Sequence, residues 1–269
     1  MSRIAIIAGQ GRLAPAIAAQ LQDPAVFALD GFEPEGLAAT PFRLERLVPF
    51  LDELHDQGID RVVFAGAIRR PRLDPEAFDP RTAQLVPRIL MAMQSGDDAA
   101  LRTVLDVFEE SGVTVCPVEE VAASLIPGEG VVCGAPTDAD KRDAAKAAAI
   151  LAQTGALDLG QGVVVAQGLC LALETLPGTE AMLDFAARHS GLRPNPNGAK
   201  GVFFKAPKPG QDRRVDLPVL GPDSVDQAAA AGLAGIAWAA GGVILLEQAE
   251  MVRRAEAAGL FLWAAGGLA

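Results

Sequence analysis

The chain has 269 residues, with 23 Lys and Arg against 34 Asp and Glu and a net charge of −11. Half of the residues are hydrophobic, 21% are charged and the mean hydropathy is +0.26, which excludes a disordered chain and provides core for one large domain or two ordinary ones. The acidic balance argues against a protein held on nucleic acid or anionic lipid by bulk charge, and 5% aromatic residues with no tyrosine are too few to stack bases.

In chain order, Arg3 to Ala8 is an isoleucine-rich run that ends at Gly9, and Leu13 to Leu21 has helical apolar spacing. Ala25 to Leu29 is a second strand, ending at Asp30. Strand, glycine turn, helix, strand is the opening of a parallel βαβ unit. The pattern recurs with a helix over Leu44 to Gln57, a strand at Arg61 to Phe64, a helix over Ala99 to Ser111 and a strand at Val113 to Cys116. Asp97-Asp98 reads as the start of that last helix. The Gly- and Pro-rich stretch from Pro127 to Pro136 marks a boundary between a doubly wound first domain, 1–130, and a second α/β domain, 131–269.

In the second domain Thr137 caps a predicted helix from Asp138 to Gln153. Strands at Gly162 to Ala166 and Leu169 to Glu174 form a hairpin through Gln167-Gly168. A helix over Thr179 to Arg188 and a strand over Gly201 to Lys205 follow. After a long polar loop come a helix at Ser224 to Ala231, strands at Ala234 to Ala239 and Val243 to Leu246, a helix from Gln248 to Ala258 and a strand from Leu260 to Ala264.

The N-terminal apolar run is too short for a signal peptide, and the longest apolar stretch, Ala228 to Leu246, is broken by glycines. Cys116, Cys133 and Cys170 are odd in number and sit in apolar runs, so they read as small buried hydrophobes in a reducing, cytoplasmic compartment. With only His55 and His189, each in or at the end of a predicted helix, a histidine-rich metal site and a histidine-based triad have no residues to draw on beyond those two.

Two segments carry chemistry. Gly9-Gln10-Gly11-Arg12-Leu13-Ala14 is a G-x-G-x-x-A match between strand and helix, and Asp30 stands about 20 residues on, where a ribose-binding acid stands in dinucleotide folds. The turn reads as a dinucleotide site, a more general phosphate site or a structural turn. The second segment runs from Lys205 to Pro218 and contains Lys208, Gln211, Asp212, Arg213, Arg214 and Asp216. Prolines 207, 209 and 218 exclude a regular helix, and an extended chain would put Asp212, Arg214 and Asp216 on one face. Two carboxylates interleaved with cations suit metal-assisted attack on a phosphate ester: acids to hold Mg²⁺ and orient water, cations to neutralise charge. A solvated loop with local ion pairs uses the same residues.

Six blocks in order resemble the UDP-2,3-diacylglucosamine pyrophosphatase family of lipid A biosynthesis, the type unrelated to calcineurin-like phosphoesterases. They are IAGQGRLAP near the start, FAGAIRRP at Phe64 to Pro71, Gly96-Asp97-Asp98 to Arg102, DLGQGVVVAQG at Asp158 to Gly168, Glu174 with Gly178-Thr179-Glu180, and KAPKPGQDRRVDLPVLGPDSV at Lys205 to Val225. The chain departs from the family at Glu180, where aspartate is usual.

The resemblance implies a Rossmann-like N-terminal domain and a family-specific C-terminal domain with substrate held between them. The reaction it implies is Mg²⁺-dependent hydrolysis of UDP-2,3-diacylglucosamine to UMP and 2,3-diacylglucosamine 1-phosphate (lipid X). Asp216, with Asp212 second, is assigned to the metal and to water activation. Lys205, Lys208 and Arg214 are assigned to the diphosphate, and Gly9, Gln10, Gly11 and Leu13 to phosphate or uridine. Gly66, Arg69, Gln167, Gly168, Thr179 and Gln211 complete the expected substrate contacts, with Arg69 and Arg70 serving either phosphate or a salt bridge. A diacyl substrate implies an apolar groove and transient contact with the cytoplasmic face of the inner membrane, and a homodimer remains open. The rival readings are an NAD(P)-dependent oxidoreductase, which would use Asp30, and a non-catalytic nucleotide-sugar binding protein.

Overall fold

A computed structural model describes residues 3–68, 72–95 and 97–267. The chain divides into two compact units, 1–123 and 124–269. Segment 127–136 opens the second unit and supplies its first strand.

In the first unit β1 (Arg3–Ala8), α1 (Leu13–Ala18), β2 (Ala25–Leu29), β3 (Thr40–Phe42), α2 (Leu47–Asp56), β4 (Ile59–Ala65), α3 (Val86–Ser95), α4 (Asp97–Glu110), β5 (Thr114–Val115) and α5 (Val118–Val121) follow one another. Their five strands form one sheet in the order β3-β2-β1-β4-β5, parallel at every pairing. Because β1 and β4 are neighbours in space and their chains leave in opposite directions across the sheet, the switch point of this doubly wound fold lies between them. The apolar stripe of α2, with Leu47, Phe50, Leu51 and Leu54 buried, covers the sheet. Phe50 sits at its centre, stacked on Phe42 at 4.2 Å and edge-on to Phe27 and Phe108.

Three elements here were not legible in the sequence: β3, α3 and the four-residue α5. Strand β3 is three residues long and contains Pro41, which the sheet tolerates because β3 is an edge. Helix α3 carries Pro87 in its first turn, the one place where a helix accepts proline readily.

The second unit contains β6 (Gly130–Cys133), α6 (Asp138–Gly155), β7 (Gly162–Ala166), β8 (Leu169–Leu173), α7 (Gly178–Arg188), β9 (Val202–Lys205), β10 (Val219–Leu220), α8 (Pro222–Ala230), β11 (Gly235–Ala239), β12 (Ile244–Leu245), α9 (Gln248–Ala258) and β13 (Phe261–Ala265). Six strands make a mixed sheet, β6-β13-β11-β9-β7-β8. Strands β9, β11 and β13 run parallel, with antiparallel pairs β7–β9, β7–β8 and β13–β6. Strands β10 and β12 form a separate parallel pair.

The central strands β7, β9 and β11 are buried throughout, so their sequences GVVVA, VFFK and GIAWA are near-continuous apolar runs. Phe203, Trp238, Val164 and Leu262 point to one face, packed with Met182, Val225, Ala228 and Met251 of α7, α8 and α9. Val163, Val202, Phe204 and Ala237 point to the other, against Ala144, Ala147 and Leu151 of α6. The unit is therefore three-layered. The predicted Thr137 cap is present as a capping box, with Thr137 Oγ1 accepting from the Asp140 amide and Asp140 from the Thr137 amide.

The cysteines divide. Cys116 and Cys133 are buried as expected, but Cys170 is exposed, because β8 is the edge of its sheet and only its inner neighbours are covered. Among the described residues no helix is long and apolar enough to cross a membrane.

Candidate functional site

In the first unit Gly9 follows β1 and Gly66 follows β4, so both stand at the C-terminal edge of the sheet beside its switch point. Their backbones touch. The Gly9 amide donates to Ala65 O at 2.8 Å, and Gln10 and Ala67 exchange amide-to-carbonyl bonds at 2.9 and 3.0 Å. The amides of Gly9 and Gln10 are thus engaged by the chain itself. Gly11, with a φ of +93°, leads into Leu13 at the start of α1. Asp30 closes β2 and, with Leu29, Arg43, Glu45 and Arg72, lines a small polar recess of about 90 Å³. Arg69 and Arg70 lie outside the described residues.

In the second unit the polar residues gather at the C-terminal end of β9. Lys205, the last residue of that strand, is 6% exposed although it carries a charge. By strand alternation it shares the face of Phe203, toward α7. Its Nζ donates to Thr179 Oγ1, in the first turn of α7, at 2.6 Å. Thr179 Oγ1 donates to Glu174 Oε1 at 2.7 Å, and Glu174 Oε2 stands 3.7 Å from Lys205 Nζ. Burial pushes the Lys205 amine below its ordinary range, and the carboxylate of Glu174 opposes that shift. Gly162 makes room for the acid: a Cβ there would stand 2.6 Å from Glu174 Oε2.

The loop after Lys205 does not run extended. Residues 213–215 form a turn in which the Val215 and Asp216 amides donate to Asp212 O at 3.3 and 3.2 Å. The cause is local: Asp212 Oδ1 accepts the Arg214 amide at 3.0 Å, the side-chain turn that aspartate forms readily. The expected period-two alignment of Asp212, Arg214 and Asp216 is therefore replaced by a single turn. Arg214 pairs with Asp212 at 2.7 Å, and Gln211 Nε2 donates to Asp216 Oδ2. Gln211 Oε1 accepts from the Lys208 amide at 2.8 Å and from Gln161 Nε2 at 2.9 Å, while Lys208 Nζ pairs with Asp158 at 2.6 Å. Gln211 thereby ties the acidic turn to the strand entrance at Gln161.

No group of three or more His, Cys, Asp or Glu side chains able to hold a metal occurs among the described residues. A protein-only metal cage is thus absent from them. Magnesium in phosphate-handling enzymes is usually held by one or two carboxylates with waters and substrate phosphates, and Asp212 and Asp216 are a donor set of that size.

Beside this cluster, β8 and α7 enclose an apolar groove of about 450 Å³. Cys170, Leu171, Leu173, Ala181, Met182 and Phe185 line it, and Thr175, Pro177 and Gly178 form the end next to Glu174 and Thr179.

The structure joins these residues in two sets, Lys205 with Thr179 and Glu174, and Lys208, Gln211, Asp212, Arg214 and Asp216 through Gln211 and the turn at Asp212. It separates Gln167 and Gly168 from them. These two form the β7–β8 hairpin, at the opposite end of β7 from Gly162, with φ of +55° and +77°. Their amides donate to the two carboxylate oxygens of buried Asp143 in α6, at 2.9 and 2.7 Å. The Gln167 side chain holds the 195–199 loop through Asn195 and Ala199. Geometry gives this pair a turn-forming role, away from Lys205. Glu180 is exposed in the first turn of α7.

Sequence reasoning gave Glu174 no role of its own, although an acid at the exit of the apolar strand LCLAL was the available signal. The histidines have local partners: His55 Nδ1 lies 3.0 Å from Leu51 O, and His189 Nδ1 lies 2.8 Å from Phe185 O with its ring stacked on Phe185.

Comparison with known proteins agrees with this division. Residues 3–125 match the family model described as the LpxI N-terminal domain, and residues 128–263 match the LpxI C-terminal domain. The UDP-2,3-diacylglucosamine pyrophosphatase LpxI of Caulobacter vibrioides is 34% identical over 97% of both chains. With both halves of the molecule matched in order and a full-length relative at this identity, the chain belongs to the LpxI family.

Proposed function

We propose that the protein hydrolyses the diphosphate of UDP-2,3-diacylglucosamine, releasing UMP and 2,3-diacylglucosamine 1-phosphate. Water adds to phosphorus, the P–O–P anhydride bond breaks, and each phosphate leaves with its own organic group. The observation that supports this reading is a buried lysine at a strand end that leads into a half-buried acidic turn, with an apolar groove ending next to its partner Thr179. A diphosphate needs the first two and an acyl chain needs the third.

Lys205, with Lys208 and Arg214, neutralises the charge that builds on the departing phosphate, a term worth several kcal/mol where water is excluded. Asp216 orients the attacking water, held in place by Gln211. Asp212 fixes Arg214. A Mg²⁺ ion held by Asp216 and Asp212 would polarise a phosphate oxygen and lower the pKa of bound water. The groove between β8 and α7 takes an acyl chain, whose transfer from water contributes about 0.8 kcal/mol per buried methylene. Gly9, Gln10, Gly11, Leu13 and Gly66 stand at the sheet edge where doubly wound folds take nucleotides, and uridine is the group that edge would take. A substrate with two acyl chains resides in a membrane leaflet, so the enzyme works in transient contact with that surface.

The test is UMP release from UDP-2,3-diacylglucosamine by the purified protein with and without Mg²⁺, beside Asp216→Ala. Metal-dependent release that Asp216→Ala abolishes supports the reading. Substrate binding without release by the unaltered protein would identify a non-catalytic nucleotide-sugar binder instead.

A further inference from the structure

We infer that Glu174, acting through the Thr179 hydroxyl, is a positioning residue that fixes the Lys205 ammonium for the diphosphate. The inference rests on the reading of Lys205 given above. It concerns a different question, namely what holds a flexible lysine in one place.

A lysine ammonium is a point charge on a four-carbon stem with three rotatable donors, and it loses much rotamer freedom when fixed. At the end of β9 the stem is enclosed by the sheet face, but enclosure does not orient the head. The orientation comes from a directed chain: Lys205 Nζ donates to Thr179 Oγ1 at 2.6 Å, and Thr179 donates its single hydroxyl proton to Glu174 Oε1 at 2.7 Å. A threonine hydroxyl has only one proton, so the acid determines the direction in which Thr179 accepts.

Three further features set this arrangement apart from an ordinary buried ion pair. Glu174 Oε2 lies 3.7 Å from Nζ, beyond hydrogen-bond length, and has no hydrogen-bond partner although it is buried. The acid therefore supplies charge through space while its hydrogen bond goes to the relay. Of the three ammonium donors Thr179 takes one and Glu174 takes none, which leaves donors for an anion. A pair serving stability alone would gain little over apolar packing of the same volume, since removing two charges from water offsets their attraction. Gly162 and Gly160 also permit the close seating of Glu174: Cβ atoms there would stand 2.6 Å from its Oε2 and 2.5 Å from its carbonyl oxygen. With Glu174 neutral, nothing in the relay opposes the effect of burial on the lysine, and Thr179 loses the acceptor that sets its direction toward the ammonium.

The experiment is steady-state UMP release with Mg²⁺ by Lys205→Met, Glu174→Gln, Thr179→Val and Thr179→Ser, each with its unfolding midpoint. Glu174→Gln and Thr179→Val are expected to lose roughly 10- to 100-fold in kcat with KM changed by less than about threefold, the scale of one charge-assisted hydrogen bond lost in the transition state. Thr179→Ser restores most of what Thr179→Val loses. In the Lys205→Met background, Glu174→Gln has no further effect, because the two act as one unit. Thr179→Val is close in volume to the original residue, so it still reports if Glu174→Gln does not fold.

If Glu174→Gln and Thr179→Val lower the unfolding midpoint while kcat is kept, and Lys205→Met is inactive, the relay is structural and the inference fails alone. If Lys205→Met keeps its kcat, the assignment of Lys205 to the diphosphate fails, and the inference with it.

Discussion

Gly9 and Gly66 meet backbone to backbone at the switch point of the first sheet. A Cβ on Gly9 would lie 2.7 Å from Ala67 O, and one on Gly66 would lie 2.5 Å from Gly9 O. Gly66 also has a φ of +114°, a region that side chains rarely adopt. The two glycines of different turns are thus required by each other, whatever ligand this edge takes. Gly66→Ala is expected to destabilise the fold by about 1–3 kcal/mol, measured by denaturant unfolding. A variant as stable as the parent would show that the two turns separate at no cost.

Asp216 and Asp212 differ in their partners, and the difference predicts different losses. Asp216→Asn leaves Gln211 in reach but removes the charge, and its expected effect is a fall in kcat of about 100-fold or more with the unfolding midpoint kept. Asp212→Ala breaks the pair with Arg214 and removes the side-chain acceptor of the Arg214 amide that supports the turn, so it lowers both stability and kcat. Circular dichroism melts beside UMP release separate the two cases.

Filling the groove between β8 and α7 tests the acyl site. Ala181→Phe places a ring in the cavity. The expected result is a KM for long-chain diacyl substrate raised by about tenfold or more, equivalent to excluding two or three methylenes. Short-chain analogues that do not reach the groove are hydrolysed by the variant and the parent alike. Equal effects on both substrates would remove the groove from the acyl chain's path.

Asp143→Ala removes the acceptor of two part-buried amides, those of Gln167 and Gly168. Water reaches these amides in part once the acid is gone, so the variant should be less stable by about 1–3 kcal/mol in urea. Activity per folded molecule should change little, because the hairpin lies at the far end of β7 from Lys205.

Lys205 makes the stability of the second unit depend on pH in a definite sense. Burial sets its folded-state pKa below that of the unfolded chain, so between the two values the unfolded state binds more protons and stability rises with pH. Below the folded value both states carry the charge and the full penalty of burying it remains. Lys205→Met should flatten this rise in unfolding curves taken across the alkaline range, and an unchanged slope would assign it to other groups.

Much of the architecture follows from local signals. Isoleucine-rich and valine-rich runs such as Arg3–Ala8 and Gly162–Ala166, each ended by a turn residue, are strands because they are buried on both faces. The Thr137–Asp140 box starts α6, and Gln167-Gly168 makes the hairpin because both residues accept positive φ. Short elements were not legible: β3 and β10 have too few residues for any period to show, and they exist because a neighbour offers a ladder.

The sequence by itself determined the fold class, the two-part organisation, the shortage of histidine and the family, since these rest on composition, local periodicity and ordered blocks. It also placed Lys205, Lys208, Asp212 and Asp216 in one segment. Only the tertiary structure decided which of the candidates meet. Packing of α7 against β8 and β9 carries Thr179 to Lys205 across 26 positions of chain and Glu174 to both, a coincidence that no spacing encodes. The same packing sends Gln167 and Gly168 to the other end of β7, because a strand separates its two ends by about 3.3 Å per residue however alike their motifs look. Side-chain chemistry is written along the chain, but proximity is set by the sheet that brings distant strand ends together.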